Sequence, residues 1–302
     1  MTGRIHVAVL GPGGVGGFLA VLLARTGHHV TVLARDDTAE KVRTNGLELR
    51  SATFGDSVET VSADSRLEAP PDLLLVTVKA TSLDAALHMV PPGSLGNALV
   101  LPFLNGLDHV DQLRARYGPT HVATGTIRVE AERVSPGVVV HRSPFAVLEL
   151  AAGEADEAQV RAVGDVLAAT GLEITVRDDE RKVLWDKLAV LAPLALFTTA
   201  TAAPFGVPRA EHWDDIVAVV GEIADAAAAE GVDIDRDVVL GFLQRVPADM
   251  RSSMQKDAAA GLPLELDAIG GGVLRAAARA GTAAPTTRRL VDGLASLTAG
   301  AD

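Results

Sequence analysis

The sequence predicts an α/β protein, with a doubly wound parallel sheet in the first half and an all-helical second half. Three observations carry that expectation. A β-rich apolar run at Ile5–Leu10 leads into Gly11-Pro-Gly-Gly-Val-Gly-Gly17 and then into a helical apolar pattern at Phe18–Arg25. Leu73–Val78 and Ala98–Leu104 are continuous apolar runs, the pattern of strands covered on both faces. From Asp179 onward only helical periodicity remains, broken by Pro204, Gly231, Pro247, Gly261 and Gly281.

His29–Leu33 reads as the second strand. Strands separated by helical segments form βαβ units, which need a parallel sheet. Val138–His141 and Ala146–Leu150 alternate more like antiparallel strands. Ile216–Ala229 is apolar on most sides and is expected to be a buried helix. Leu188–Pro208 carries no charge and is long enough to span a bilayer. Pro193, Pro204 and Pro208 interrupt it, so a buried helix followed by a turn is the expectation. The domain boundary is placed near Val176–Asp178, giving domains 1–177 and 178–302.

At 302 residues the chain is long enough for one large or two ordinary domains of about 150 residues each. Apolar residues make up 48% and charged residues 22%, an ordinary globular balance that argues against disorder. A net charge of −12 argues against a nucleic-acid partner, which needs clustered Lys and Arg. The absence of cysteine excludes disulfides, thiolate metal sites and a cysteine nucleophile. His28 and His29 are adjacent, so on a strand they face opposite ways and cannot chelate together; no metal is expected. The first apolar run stops at a glycine cluster with no small-residue cleavage site after it, so no signal peptide and no membrane partner are expected, and the location is expected to be cytoplasmic.

Gly11-x-Gly13-x-x-Gly16 lies between a strand and a helix, the setting a dinucleotide-binding loop requires. Gly11 allows the tight turn, Gly13 lets the backbone approach a pyrophosphate, and Gly16 lets helix and strand pack closely. Pro12, Gly14 and Val15 complete the loop, and the helix start supplies unpaired N–H groups and a positive dipole end. A residue at the end of the second strand separates the two nicotinamide cofactors. Here it is Arg35, which can pair with a 2′-phosphate and points to NADPH; Asp36 and Asp37 beside it pull the other way.

Lysine occurs only at positions 41, 79, 182, 187 and 256. Lys79 follows an apolar strand, which places it at the carboxyl edge where α/β sheets hold ligands, or simply in solvent. Asn105-Gly106 follows the next strand on the same edge, as a site or as a plain turn. Lys187 begins the apolar helical stretch, either snorkelling or acting as a proton donor with its pKa lowered by desolvation. Glu265 is a candidate carboxylate partner or a solvated helix residue.

The ordered set Gly11-x-Gly13-x-x-Gly16, Val78-Lys79-Ala80, Asn105-Gly106, Trp185-x-Lys187-Leu188, Ser252-Ser253-Met254, Glu265-x-Asp267 and Pro285 resembles the ketopantoate reductase (2-dehydropantoate 2-reductase) family over nearly the whole chain. The resemblance implies a Rossmann-type NADP-binding domain and a helical substrate and dimerisation domain. It also implies NADPH as hydride donor, a small-molecule 2-keto acid as acceptor and a place in pantothenate biosynthesis. By the same resemblance Lys187 is the general acid, and Glu265 the carboxylate near it and the ribose. Lys79 and Asn105 touch the nicotinamide end and the substrate, Ala131 makes a backbone contact to the cofactor, Ser253 helps hold the substrate carboxylate, and Arg35 reads the 2′-phosphate. The apolar helices of the second half suit a homodimer interface as well as a buried core.

The departures are informative too. The family places asparagines four and eight residues after its lysine, on the same helix face, where they line the substrate pocket; here these are Leu191 and Ala195. Two further family asparagines are replaced by Met250 and Gly270. A hydroxylated keto acid would lose about 1–3 kcal/mol for each buried polar group left unpaired. The expected substrate is therefore more apolar than ketopantoate. Two rival readings share this scaffold: an opine- or imine-type dehydrogenase, and a non-catalytic NADPH-binding sensor. Retention of Lys187 and Glu265 argues against the sensor.

Overall fold

A computed structural model describes residues 3–299. Contacts divide them into two units. The first takes the chain up to Leu104 and then His109–Val183; the second takes Asn105–Asp108 and Leu184 onward.

The first unit opens with β1 (His6–Leu10), α1 (Gly14–Arg25), β2 (His29–Leu33), α2 (Asp36–Asn45), β3 (Leu47–Ser51), β4 (Ser57–Glu59), β5 (Ser62–Asp64), β6 (Leu73–Val76), α3 (Leu83–Leu87) and β7 (Leu99–Pro102). The main sheet has the order β5-β2-β1-β6-β7 and is parallel throughout. Strands β1, β6 and β7 are buried almost end to end, as continuous apolar runs require. The chain leaves β1 toward β2 on one side and later returns to β6 on the other. The carboxyl end of β1 is therefore the switch point at which open α/β sheets bind ligands.

The chain continues through α4 (His109–Tyr117), β8 (Thr124–Arg128), β9 (Ala131–Ser135), β10 (Val138–His141), β11 (Val147–Ala151), α5 (Glu157–Ala168) and β12 (Glu173–Arg177). Two smaller sheets result, β4-β3-β10-β9 and β12-β11-β8. The two alternating segments expected to be antiparallel form mixed pairs. β10 runs antiparallel to β9 but parallel to β3, and β11 runs antiparallel to β8 but parallel to β12. α1 packs against β1 and β2 on one side and β3, β9 and β10 on the other. This double covering explains why the helix is apolar on nearly every face.

His141 ties the second sheet together. It is buried, stacks on Phe18 at 4.8 Å between ring centroids, and is hydrogen-bonded to Ser51 Oγ at 2.9 Å and Ser143 Oγ at 3.1 Å. Burial lowers its pKa and keeps the imidazole neutral. Ser143 Oγ also accepts from the backbone N–H of Glu130 at 3.0 Å, which fixes the turn before Ala131.

The second unit is built from α6 (Glu180–Ala200), α7 (Gly206–Glu211), α8 (Trp213–Ala229), α9 (Arg236–Arg245), α10 (Ser253–Ala259), α11 (Gly272–Ala280) and α12 (Pro285–Ala299). Its core gathers Trp185, Phe197, Phe205, Ile216, Ile223 and Met254. Among the described residues, α6 is the one helix long and apolar enough to cross a membrane, and 67% of its apolar window is buried in the fold. Its first turn is anchored differently from the rest. Burial pushes the Glu180 carboxyl pKa up, but bonds from Arg114 (2.9 and 2.5 Å) and Thr124 Oγ1 (2.8 Å) outweigh this and hold it below the usual range. That pairing explains why contacts divide the chain after Val183, inside α6, and not near Asp178.

Candidate active site

The glycine loop lies at the switch point. Gly11 has φ +89°, and its N–H donates to the Leu33 carbonyl at 3.0 Å. Thr77 Oγ1 donates to the carbonyls of Leu10 and Gly11 at 3.0 and 2.9 Å, which ends β6 at Val76 and ties it to the loop. The glycines have distinct duties. A Cβ on Gly16 would lie 2.2 Å from Thr77 Oγ1 and 2.3 Å from the Gly11 carbonyl, so Gly16 is needed for packing. A Cβ on Gly14 would lie 2.0 Å from the Ala131 carbonyl, so the start of β9 is pressed against the first turn of α1. A Cβ on Gly13 would meet nothing nearer than 4.0 Å. Gly13 is thus the position where the loop backbone is left open. It is also the N-cap of α1, with no side chain capping the helix and no acid in the first turn. Open backbone beside uncapped N–H groups suits a pyrophosphate.

Arg35 is exposed and stands at the N-cap of α2. It borders an open depression of about 680 Å³ lined also by Thr38, Lys41, Ser65, Met89 and Arg133. Three cations from β2–α2 and β9 therefore surround one opening, with Asp36 and Asp37 on its rim. Lys41 and Arg133 were not anticipated from sequence. Lys79 is exposed and N-caps a 3₁₀ turn, Ala80–Ser82, three residues beyond the end of its strand.

The second unit holds the other candidates. Asn105 Nδ2 donates to Glu265 Oε2 at 3.0 Å, and Glu265 is only 5% exposed. These residues are 160 positions apart in the chain. Glu265 precedes a π-helical turn, Asp267–Gly271, which runs into α11. Single π turns inside helices are frequent at functional sites. Gly106 explains itself here. Its φ is +89°, and a Cβ would lie 2.3 Å from the Ala268 carbonyl of the π turn.

On α6, Lys187 and Leu191 are half-buried. They share a helix face with Ala195 by their four-residue spacing. Ala195, however, is only 1% exposed and belongs to the packed core, so it does not stand with the other two at an accessible surface. One turn further on, Thr198 Oγ1 is hydrogen-bonded to Ser252 Oγ at 2.7 Å, and Ser252 caps α10 by accepting from the Gln255 N–H at 3.1 Å. Ser253 beside it is exposed. Met250 is half-buried against the same core. A Cβ on Gly270 would lie 2.4 Å from Val291 Cγ2 and 3.2 Å from Leu196 Cδ2, so α12 and α6 occupy the space an asparagine side chain would need. Among the described residues no cluster of three or more His, Asp or Glu side chains could hold a metal ion.

Residues 7–154 match the family model described as ketopantoate reductase PanE/ApbA, and residues 179–297 match the model of its C-terminal part. A 2-dehydropantoate 2-reductase of Caulobacter vibrioides is 28% identical over 290 residues, covering 94% of this chain and 96% of its own. The crystal structure of a PanE/ApbA-family ketopantoate reductase from Ralstonia eutropha JMP134 superposes with a TM-score of 0.89 at 27% identity, covering 98% of this chain and 99% of the other. A D-mandelate dehydrogenase solved with NADH and anilino(oxo)acetate superposes with the same TM-score at 19% identity, which reflects a shared fold; the overlap covers 98% of this chain and 99% of the other.

Proposed function

The chain belongs to the ketopantoate reductase family, and from that premise we propose that it reduces a 2-keto acid with NADPH, using Lys187 as proton donor, and prefers a substrate more apolar than ketopantoate. Membership carries the coarser statements: an oxidoreductase acting on a carbonyl of a small 2-keto acid with a nicotinamide dinucleotide. The observation that carries the reading of these motif residues as one reductase site is the hydrogen bond between Asn105 and Glu265, two residues 160 positions apart that the fold brings together.

The residues present fit a dinucleotide. The open backbone at Gly13 and the uncapped start of α1 would take its pyrophosphate. When bound, the reduced nicotinamide supplies the hydride. Lys187 gives a proton to the oxygen that becomes the alcohol and stabilises its developing charge, a role worth about 10²–10⁴-fold. Glu265 accepts from the Asn105 amide and so fixes its orientation. Leu191 and Met250 are apolar and half-buried where the family's pattern has asparagines, and they favour a hydrocarbon-bearing keto acid over a hydroxylated one.

The choice of NADPH rests on the cations around the Arg35 depression. A charge-assisted hydrogen bond contributes about 1.5–3 kcal/mol, roughly ten- to a hundredfold in affinity. Arg35→Ser and Arg133→Ser should each weaken NADPH binding by about that factor and leave NADH binding unchanged. Titration of both cofactors by nicotinamide fluorescence checks this. Equal losses for the two cofactors, or none, would contradict the assignment.

A further inference from the structure

Arg275, on α11, joins two short segments of the second unit. Its Nε and Nη2 donate to Asp108 Oδ2 at 3.2 and 2.7 Å. Its Nη1 donates to Asp267 Oδ1 at 2.6 Å, and Nη2 donates again to the Asp267 carbonyl at 3.0 Å. The bond to Asp267, ahead of the partial desolvation that opposes it, raises the guanidinium pKa further, so the charge is permanent. Two glycines make room for this arrangement. Gly106 lets the 105–108 turn press onto the Ala268 carbonyl, and a Cβ on Gly271 would lie 2.7 Å from Asp267 Oδ1 and 3.1 Å from Arg275 Nη1.

Asp108 lies three residues after Asn105, and Asp267 lies two residues after Glu265. The Asn105–Glu265 bond and the Asp108–Arg275–Asp267 bridge therefore fasten the same two segments to each other at neighbouring points. We infer that Arg275 is a positioning residue of the reductase site: it holds the 105–108 turn on the π turn so that the Asn105 amide stays on Glu265. It acts through Asn105 and not on the reacting atoms. The inference rests on the proposed role of Asn105. Ion pairs this exposed add little to stability, whereas a displacement of about 1 Å in a positioned group costs up to about a hundredfold in rate.

The test compares Arg275→Ala, Asp108→Asn and Asn105→Ala, singly and with Arg275→Ala and Asn105→Ala combined. Arg275→Ala should lower kcat by roughly ten- to a hundredfold with little change in melting temperature, and the isosteric Asp108→Asn should show a smaller loss of the same kind. In the Asn105→Ala background, Arg275→Ala should cause no further loss. A readout independent of turnover is the Asn105 side-chain amide signal in an NMR spectrum, identified by its disappearance in Asn105→Ala. In Arg275→Ala that signal should shift and exchange faster with water. An unchanged Asn105 signal, full activity in Asp108→Asn, or losses that multiply in the double variant would overturn the inference. Full activity in Asn105→Ala would instead remove the site reading on which it depends.

Discussion

Replacing Lys187 with alanine should lower kcat by about 10²–10⁴-fold, the usual contribution of a positioned general acid, while NADPH affinity changes little. The lysine begins the apolar stretch of a helix whose later turns are buried, and it is itself half-buried. Truncation therefore removes a cation from a half-buried position without opening the core. A lost ground-state contact would raise KM at unchanged kcat; a lost transition-state contact lowers kcat and kcat/KM together. The second pattern is expected. Steady-state kinetics beside cofactor titration separates them, and a variant with wild-type kcat would show that the proton comes from elsewhere.

The glycine loop gives the second large effect, and it splits in two. Gly16→Ala places a methyl group 2.3 Å from the backbone carbonyl of Gly11, which cannot rotate away. Overpacking of this kind costs about 1–3 kcal/mol or more, so both melting temperature and cofactor binding should fall. Gly13→Ala meets no protein atom nearer than 4.0 Å, and its φ of −77° suits alanine. Stability should be kept, while the methyl group fills the space in which a pyrophosphate would lie. NADPH binding should weaken by tenfold or more, about 1.4 kcal/mol at least. Thermal melts with and without NADPH distinguish the two. Gly13→Ala binding NADPH as the parent does would mean the dinucleotide lies elsewhere.

These contrasts mark what was legible in the sequence. The loop between Leu10 and Phe18 announces itself because its constraints are local: a turn, an open backbone and a close helix are all written within seven residues. The long apolar strands and the helical second half are legible for the same reason, since each pattern repeats within its own element. Arg133 was not, because β9 is an exposed, polar strand with no alternation to reveal which side it faces. Asp108 and Arg275 lie 167 residues apart, and nothing in either segment names the other. The glycines at 270 and 271 lie in a continuous helical segment where Val291, Leu196 and Asp267 leave no room for side chains, and nothing local to the sequence names those neighbours. On α6 the spacing of Lys187, Leu191 and Ala195 gives a shared face, but periodicity does not say what covers that face at each level. The fold leaves Leu191 half-buried and seals Ala195 in the core.

The central claim is that the chain is an NADPH-dependent reductase whose apolar Leu191 and Met250 set its substrate class. The most direct test is kcat/KM, followed by loss of nicotinamide absorbance with NADPH, for ketopantoate and for a series of 2-keto acids with larger aliphatic or aromatic groups. Two missing amide partners at about 1–3 kcal/mol each predict that an apolar keto acid is favoured over ketopantoate by at least about thirtyfold. A preference for ketopantoate of that size, or turnover with NADH alone, would contradict it.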